Sequence, residues 1–402
     1  MGERTVVRGG TVLDGRGGPP APGDVVIEGD RIVEVGSGLD GDSEVDATGL
    51  TVLPGLFDCH VHVTADGPDL LRSLGQPFSY QFYRAAANLA ATLDCGITTV
   101  RDAGGADLGV KTAVDDGLVR GPRMQIAITI LSQTGGHNDA WVPSGCSLAL
   151  VGGGHPGQPA PIVDGPEEMR RKVRELVRAG ADVIKVCTSG GVLSPRDDPR
   201  HAHFRDDELE VCVAEATAAG RFVMAHAQAT DGIKAAVRTG IRSVEHGIFL
   251  DDEAIDMMLG RGTWLVPTLV APRAVLAAAA AGARIPPESV RKAEEVVGYH
   301  TDSFTRAVAA GVRVAMGTDS GVGPHGDNLS ELELMAHAGM DPLEVWRSAT
   351  SSAAELMGVA DHLGSLEPGK RADLVLVAGD PTDLTGLRSR VRGVWKDGSR
   401  VR

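Results

Sequence analysis

Short apolar segments alternate with amphipathic segments through most of this 402-residue chain. The amphipathic segments 167–181 and 206–220 carry apolar residues at steps of three and four and end at glycine, as helices do. This alternation predicts parallel strands joined by helices. We place eight strands, at 52–62, 97–102, 124–131, 182–188, 222–226, 243–246, 263–268 and 313–319.

Eight strand–helix units in about 300 residues match a closed (β/α)8 barrel, the TIM barrel. An open doubly wound sheet is the alternative. A nucleotide-binding version of that sheet is disfavoured, because no GxGxxG motif follows the first strand. The predicted fold class is therefore α/β, with a TIM barrel as its main unit.

Both ends of the chain are rich in predicted strands. Residues 4–47 include DVVIEGDRIVEVG, with Gly-Asp at a hairpin-like turn, and strand patterns return at 372–380 and 391–401. Neither piece alone would make a stable sheet, so we expect the two ends to pair. The predicted domains are a small β-sandwich built from 1–53 and 360–402, and a barrel over 54–359.

Ionisable side chains stand at the ends of five of the predicted strands. His60 and His62, in GLFDCHVHV, are two residues apart and project to the same side of a strand. In a (β/α)8 enzyme the C-terminal strand ends form the rim on which catalytic groups gather. The other side chains placed on this rim are Lys185, His226, His246 and Asp319.

Each of these side chains alone has a structural explanation, as a core histidine, a lysine paired with a carboxylate or a helix cap. Six of them on one rim are hard to explain by structural needs, because unpaired polar groups there are costly. Imidazole and carboxylate ligands suit zinc or a similar divalent ion. Such an ion lowers the pKa of bound water and polarises a carbonyl. The residues therefore predict a metal-dependent hydrolytic site.

The motifs PGLFDCHVHV, IKVCTSGG, AHAQ, VEHG and GTDS, followed by LGSLEPGKRADLVLV, resemble the amidohydrolase superfamily across nearly the whole chain. The resemblance implies two divalent metal ions and a lysine that carbon dioxide has carboxylated. It also implies that the aspartate moves a proton from the nucleophilic hydroxide to the leaving nitrogen. The implied ligands are His60, His62 and Asp319 for one ion, His226 and His246 for the other, and Lys185 as the bridge.

The segments SQTGGHND and IKVCTSGGVLSP resemble the branch of Xaa-Pro dipeptidases and metal-dependent carboxypeptidases, with imidazolonepropionase nearby. This resemblance implies that His137 polarises the scissile carbonyl. A loop histidine with only local hydrogen bonds is the structural alternative. Gln228 stands where several peptidase relatives carry tyrosine, which leaves the identity of the substrate open.

Basic side chains follow the fourth strand in SPRDDPRHAHFRDDEL. Arginine can hold a carboxylate through two hydrogen bonds, so a substrate with a free α-carboxyl group would suit this segment. The alternative is a solvated loop whose arginines pair with its own aspartates. The candidate substrate-binding residues are Gln228, Arg196, Arg200, His203 and His325.

Residues 132–165 are rich in Gly, Pro and Ser and lack periodicity. A loop of roughly 30 residues in a compact domain is usually a lid or a binding loop, and less often a disordered insert. We favour the functional interpretation.

The charge and composition exclude several classes of partner. The net charge is −15 and no basic block occurs, which argues against nucleic acid. No run of 18 apolar residues and no signal-peptide core is present, so we expect no membrane partner. Five scattered cysteines predict a reducing compartment. We expect a cytoplasmic enzyme, and the resemblance suggests a homo-oligomer.

The predicted function is that of a binuclear metal-dependent hydrolase that cleaves the amide bond of a dipeptide or an N-acyl amino acid. A metal-bridging hydroxide would attack the carbonyl carbon of this small-molecule substrate. The alternative within enzymes is hydrolysis of a non-peptide amide, a cyclic amide or a carbamate by the same groups. A non-catalytic scaffold is disfavoured because all six ligands are present.

Overall fold

The fold is that of a computed structural model that describes residues 2–145 and 155–402. The strands are β1 (Arg4–Val12), β2 (Ala21–Glu28), β3 (Arg31–Gly36), β4 (Ser43–Asp46), β5 (Leu50–Pro54), β6 (Leu56–Val61), β7 (Ile97–Asp102), β8 (Arg123–Ile126), β9 (Ile130–Leu131), β10 (Val183–Cys187), β11 (Phe222–Ala227), β12 (Ser243–His246), β13 (Trp264–Val266), β14 (Leu374–Ala378), β15 (Val391–Lys396) and β16 (Ser399–Arg400).

Helices follow most strands of the central part. They are α1 (Leu70–Leu74), α2 (Tyr80–Asp94), α3 (Leu108–Asp115), α4 (Pro166–Ala179), α5 (Asp206–Ala218), α6 (Thr230–Thr239), α7 (Asp252–Arg261), α8 (Val270–Ala280), α9 (Pro287–Ala310), α10 (Ser330–His337), α11 (Pro342–Ser348), α12 (Ser351–Leu356) and α13 (Leu387–Arg390). In the part of the chain that the structure describes, none of them is long and apolar enough to cross a membrane.

Strands from both ends of the chain form one eight-stranded sheet, in the order β16-β15-β14-β5-β1-β2-β3, with β4 beside β1. The hairpin of β2 and β3 turns where the Gly-Asp pair predicted it, because Glu28 pairs with Arg31. Apolar side chains of β2 and β14, such as Val25 and Leu374, are buried in a core of this sheet. The two termini therefore pair, whereas the domain boundaries stay a prediction.

The predicted strand 52–62 is in fact two strands that belong to different sheets. The chain leaves β5 at Gly55, whose N–H donates to the carbonyl oxygen of Asp373. A Cβ atom at Gly55 would lie 2.2 Å from Thr98 Oγ1, so a side chain there would clash with the neighbouring strand. This close approach lets the chain pass directly from the terminal sheet into β6.

The central strands are parallel, in a three-stranded sheet β6-β7-β8 and a five-stranded sheet β13-β12-β11-β10-β9. The parallel α/β architecture is therefore confirmed. The predicted strand 124–131 is interrupted between β8 and β9, where Ile128 has a φ of 67°. Closure of all eight strands into one barrel stays a prediction.

The predicted strand 313–319 is wrong as a continuous strand. The segment makes isolated parallel bridges at both ends, between Leu265 and Val314 and between Val61 and Ser320. Asp319 adopts a left-handed backbone, with a φ of 61°, which no regular strand allows. The segment therefore lies between β13 and β6 without forming a ladder.

Helices α4 and α5 confirm the two helical predictions. The α4 helix ends at Gly180, which has a φ of 97° and suits the left-handed cap. Its apolar face, including Met169, Val173 and Leu176, is buried in the main core. The cysteines that the structure describes are free and buried, whereas Cys146 and part of the predicted 132–165 loop lie in residues 146–154, outside the described residues.

Candidate metal centre

All six side chains predicted as metal ligands line one cavity. Five of them lie in or directly after β6, β10, β11 and β12, and Asp319 lies in the 313–320 segment, which makes parallel bridges with β6 and β13. The backbone helps, since the last residue of β12 turns out of the strand with a φ of 73°. The cavity is lined by His60, His62, Lys185, His226, His246 and Asp319.

Three of these side chains offer ligand atoms within 4.8 Å of one another, namely His60, His62 and Asp319. Asp319 Oδ1 lies 3.2 Å from His62 Nε2 and 3.6 Å from His60 Nε2. The left-handed turn at Asp319 is held by its own N–H, which donates to the His60 carbonyl oxygen at 2.7 Å. The arrangement places two imidazole nitrogens and a carboxylate around one point.

The Nδ1 atoms of three histidines face partners outside the cavity. His62 Nδ1 lies 2.7 Å from the Gly104 carbonyl oxygen, which can only accept, so this nitrogen carries the hydrogen. His60 Nδ1 lies 2.8 Å from Glu245 Oε2, and His246 Nδ1 contacts a threonine hydroxyl at 2.7 Å. Partners of this kind orient metal-ligating histidines and leave Nε2 free to bind.

Glu245 is a fully buried carboxylate that the sequence analysis missed. Arg101 Nη2 donates to both of its oxygens, at 3.0 and 3.2 Å, and Ser243 Oγ also donates to it. The contacts with Arg101 and Ser243 fix the Glu245 side chain against His60. In the sequence Glu245 stands next to His246, and this position does not reveal that its side chain contacts His60.

The second group of side chains surrounds His246. The ring centroid of His226 lies 4.7 Å from that of His246, and the ring of His60 lies 5.1 Å from it. His226 Nε2 lies 3.0 Å from the Gly190 carbonyl oxygen, so this nitrogen donates and Nδ1 is left with a free lone pair. Burial lowers the pKa of all three rings well below the ordinary value, which keeps them neutral and able to bind a metal.

Lys185 is 2% exposed, and its Nζ has no hydrogen-bond partner among the described residues. A buried amine without a partner is costly. Burial also lowers the pKa of Lys185, which favours the uncharged amine. The donor set and this orphaned amine together fit a divalent metal centre in which the lysine is modified to an anionic ligand.

His137 lies against this group from the long loop. Its ring stacks on His226, with centroids 4.2 Å apart and an angle of 16° between the planes. Gly191 lies so close to His137 that an added Cβ would be 2.2 Å from its ring. His137 Nδ1 contacts Ser194 Oγ at 2.6 Å and Asp197 Oδ2 at 3.3 Å. The ring is therefore held on three sides and borders the cavity.

The rest of the cavity wall is largely aliphatic. Gln228 lies in the wall as predicted, 5% exposed. The sequence analysis missed His300 of α9, because its sequence pattern is that of an ordinary core residue of a helix. Its Nε2 donates to two carbonyl oxygens. Burial lowers the pKa of His300 to about 4. The apolar lining includes Ile130, Val192, Leu193, Ile248, Pro272, Val275 and Val322.

Arg196 and Arg200, predicted to bind substrate, are not among the described residues that line the cavity. The guanidinium of Arg196 lies 5.1 Å above the ring of Trp141. Arg200 pairs with Glu295 at 2.7 Å and lies 4.7 Å above the ring of Phe249. Both arginines are occupied by partners from segments that are distant in sequence.

His203 and His325 are also absent from the described lining of the cavity. His325 Nε2 lies 3.2 Å from the His62 carbonyl oxygen and its Nδ1 lies 3.3 Å from Thr92 Oγ1, so it supports the backbone behind a predicted ligand. Burial lowers the pKa of both histidines to about 4. His203 is 6% exposed, whereas His325 is half-buried.

Known proteins resemble the chain over almost its whole length. An ochratoxinase from Aspergillus niger is 34% identical and covers 98% of this chain and 86% of its own sequence. The structure of a prolidase complexed with N-methylphosphonate-L-proline is 39% identical, with a TM-score of 0.91 and 99% of both chains covered. A Xaa-Pro dipeptidase with bound methionine in its active site is 32% identical, with a TM-score of 0.90, and covers 99% of this chain and 100% of its own.

The profile of the Amidohydrolase family matches residues 51–401. This match includes every side chain of the candidate centre, and the resemblance to the Xaa-Pro dipeptidase branch is confirmed by the structural relatives. The chain is therefore a member of the amidohydrolase family, whose homologues are hydrolases acting on amide bonds.

Proposed function

We propose that this chain is a binuclear metal-dependent hydrolase that cleaves the amide bond of Xaa-Pro and related dipeptides or of N-acyl amino acids. The observation that carries the proposal is the convergence of six candidate ligand side chains on one cavity whose remaining wall is largely aliphatic. In the proposed site His60, His62 and Asp319 hold one divalent ion, and His226 and His246 hold the other. Zinc suits this mixture of imidazole and carboxylate donors.

Lys185 would bridge the two ions as a carbamate formed with carbon dioxide. Its orphaned Nζ supports this role, because an uncharged buried amine is the form that reacts with carbon dioxide. When bound, the ions would supply a nucleophile at neutral pH and polarise the scissile carbonyl. The other steps depend on side chains that the structure describes.

Asp319 and His137 are the proposed catalytic residues. The Asp319 carboxylate borders the cavity and would take a proton from the attacking water and return it to the leaving nitrogen. Burial raises the pKa of Asp319, but its contacts with neighbouring groups, including the hydrogen bond with His62, outweigh burial and hold the pKa below its ordinary value, so the carboxylate starts deprotonated. His137 would donate a hydrogen bond from Nε2 to the carbonyl oxygen as negative charge develops there.

The aliphatic wall and the relatives support an amino-acid leaving group. Ile248, Pro272 and Val275 form an apolar surface near the ligands, which would receive a proline ring or an aliphatic side chain. Relatives are described with bound methionine and with a phosphonate analogue of an acylated proline. Because the two arginines expected to bind a carboxylate lie elsewhere, we assign the leaving group from the apolar wall.

A second candidate is hydrolysis of a non-peptide amide, a cyclic amide or a carbamate. Gln228 favours it, because its amide lies in the cavity wall at the position where several peptidase relatives carry tyrosine. The similarity to an ochratoxinase supports amide hydrolysis and does not separate the two candidates. The proposed metal ligands and the proposed roles of Asp319 and His137 are the same in both cases.

The proposal extends to the architecture and the setting. Hydrogen bonds from Cys59 N to the Met316 carbonyl oxygen, and from Ala315 N to the Leu265 carbonyl oxygen, connect the 313–320 segment to β6 and β13. These bonds support a closed (β/α)8 barrel in which that segment replaces the eighth strand. The cytoplasmic location and a homo-oligomeric state stay predictions.

The test is release of free amino acids from dipeptides, N-acyl amino acids, lactams and carbamates. The protein is purified with zinc and assayed before and after treatment with a chelator, with a His60→Ala variant as the matched control. We expect selective amino-acid release that the chelator and the variant both abolish. Hydrolysis restricted to lactams or carbamates would replace the first candidate with the second. Hydrolysis that persists without metal would contradict both.

A further inference from the structure

Buried side chains that are not metal-ligand candidates contact His137. Asp197 belongs to the loop after β10 and its side chain is 3% exposed. Lys292, on α9, lies 3.2 Å from Asp197 Oδ1 and donates to the carbonyl oxygens of Gly191 and Ser194 at 3.1 and 2.7 Å. Lys292 therefore connects this loop and Asp197 to α9.

The hydrogen bonds around Asp197 require a hydrogen on Nδ1 of His137. Asp197 Oδ2 accepts from the Gly191 N–H at 3.0 Å, and Asp197 Oδ1 accepts from the Ser194 hydroxyl. Because the only hydroxyl hydrogen of Ser194 is used in that bond, its Oγ can only accept from His137. Nδ1 of His137 must therefore be the donor, to both Ser194 and Asp197.

The contacts of His137 restrict the position of its ring as well as its hydrogen bonding. The ring stacks on His226, and Gly191 approaches it at a distance that excludes a Cβ atom. The Nδ1 contacts stop rotation within the plane of the ring. Only the opposite edge, with Nε2, is left to face the cavity that His137 borders.

We propose that Asp197, fastened by Lys292, is a positioning residue that holds His137 with Nδ1 bound and Nε2 presented to the substrate. This inference rests on the proposed function and assigns to it a set of residues outside the ligand group. A carboxylate is required at this place, because donors surround both of its oxygens. A carboxamide has an acceptor on one side only.

The experiment compares Asp197→Asn with Asp198→Asn, the matched control on the same loop. Asp198 Oδ1 accepts from the Arg200 N–H at 2.9 Å, a bond that asparagine can keep. We expect Asp197→Asn to lower kcat by about 10²-fold, the loss typical of a catalytic group displaced by about 1 Å, with KM and metal content close to wild type. Asp198→Asn should match the wild type in all three.

A ¹⁵N NMR measurement separates this inference from the proposed function. It reports whether Nδ1 of His137 carries a hydrogen, whether or not a substrate is known, and we expect Nδ1–H in the wild type and a changed Nδ1 signal in Asp197→Asn. If Asp197→Asn fails to fold, Ser194→Ala should lower kcat by about tenfold, since it removes one of the two Nδ1 acceptors. Wild-type kcat in both variants, loss of metal in proportion to activity, or an equal loss in Asp198→Asn would overturn the inference.

Discussion

Gly191→Ala should strongly lower activity although it replaces no proposed metal ligand or catalytic side chain. The new Cβ would lie 2.2 Å from His137 Cε1, whereas ordinary contact begins near 3.4 Å. The ring would have to move by about 1.2 Å, and the ring of His226, stacked at 4.2 Å, limits that movement. A displacement of about 1 Å can cost about 10²-fold in rate, so kcat/KM should fall by about that factor, or about 2.7 kcal/mol of transition-state stabilisation.

The assay is steady-state hydrolysis of the best amide substrate, together with thermal unfolding and metal analysis of each variant. Overpacking of this kind costs about 1–3 kcal/mol of stability, so the variant should unfold at a lower temperature but stay folded at 25 °C. Gly298→Ala is the control, because this exposed glycine of α9 has open space around its Cβ position and alanine favours a helix. A folded Gly191→Ala variant with wild-type kcat/KM would refute the idea that His137 must stay in this position.

Three further changes test the metal centre. Lys185→Ala should abolish most activity and lower the amount of bound metal. Short carboxylic acids should restore part of the activity by supplying the bridge, whereas full activity without them would exclude a bridging lysine. Glu245→Gln should weaken metal binding about 10–100-fold in a chelator competition, because His60 loses a carboxylate partner and Arg101 loses its counter-charge; unchanged affinity would limit Glu245 to a structural role. Asp319→Asn should lower kcat far more than it changes KM, and a retained kcat would count against proton transfer by Asp319.

The metal-ligand candidates could be predicted from sequence because each follows a local rule. Polar residues that end apolar strands stand out against their neighbours, and parallel strands bring their ends to one side. His60, Lys185 and His226 were identifiable in this way, and all three line the cavity. The terminal sheet was predictable for the same reason, since its hairpins and alternating strands are local patterns.

The partners of these residues could not be predicted, because they come from distant parts of the chain. Glu245 contacts His60 across 185 positions, and Lys292 contacts Asp197 across 95. The sequence predicts that Arg200 could bind a substrate carboxylate, but in the structure Glu295 of α9 lies beside it. No rule of sequence spacing predicts such pairs, because the tertiary fold alone determines which carboxylate lies beside a given arginine.

The most direct test of the two-metal hydrolase is a titration of zinc into the metal-free protein. Thermal stability and amino-acid release are followed together as zinc is added in steps, with bicarbonate present for the lysine carbamate. The account predicts that activity rises until two equivalents per chain are bound, that Lys185→Ala does not reach this level, and that the unfolding temperature rises with binding. Full activity at one equivalent, or in the metal-free protein, would contradict it.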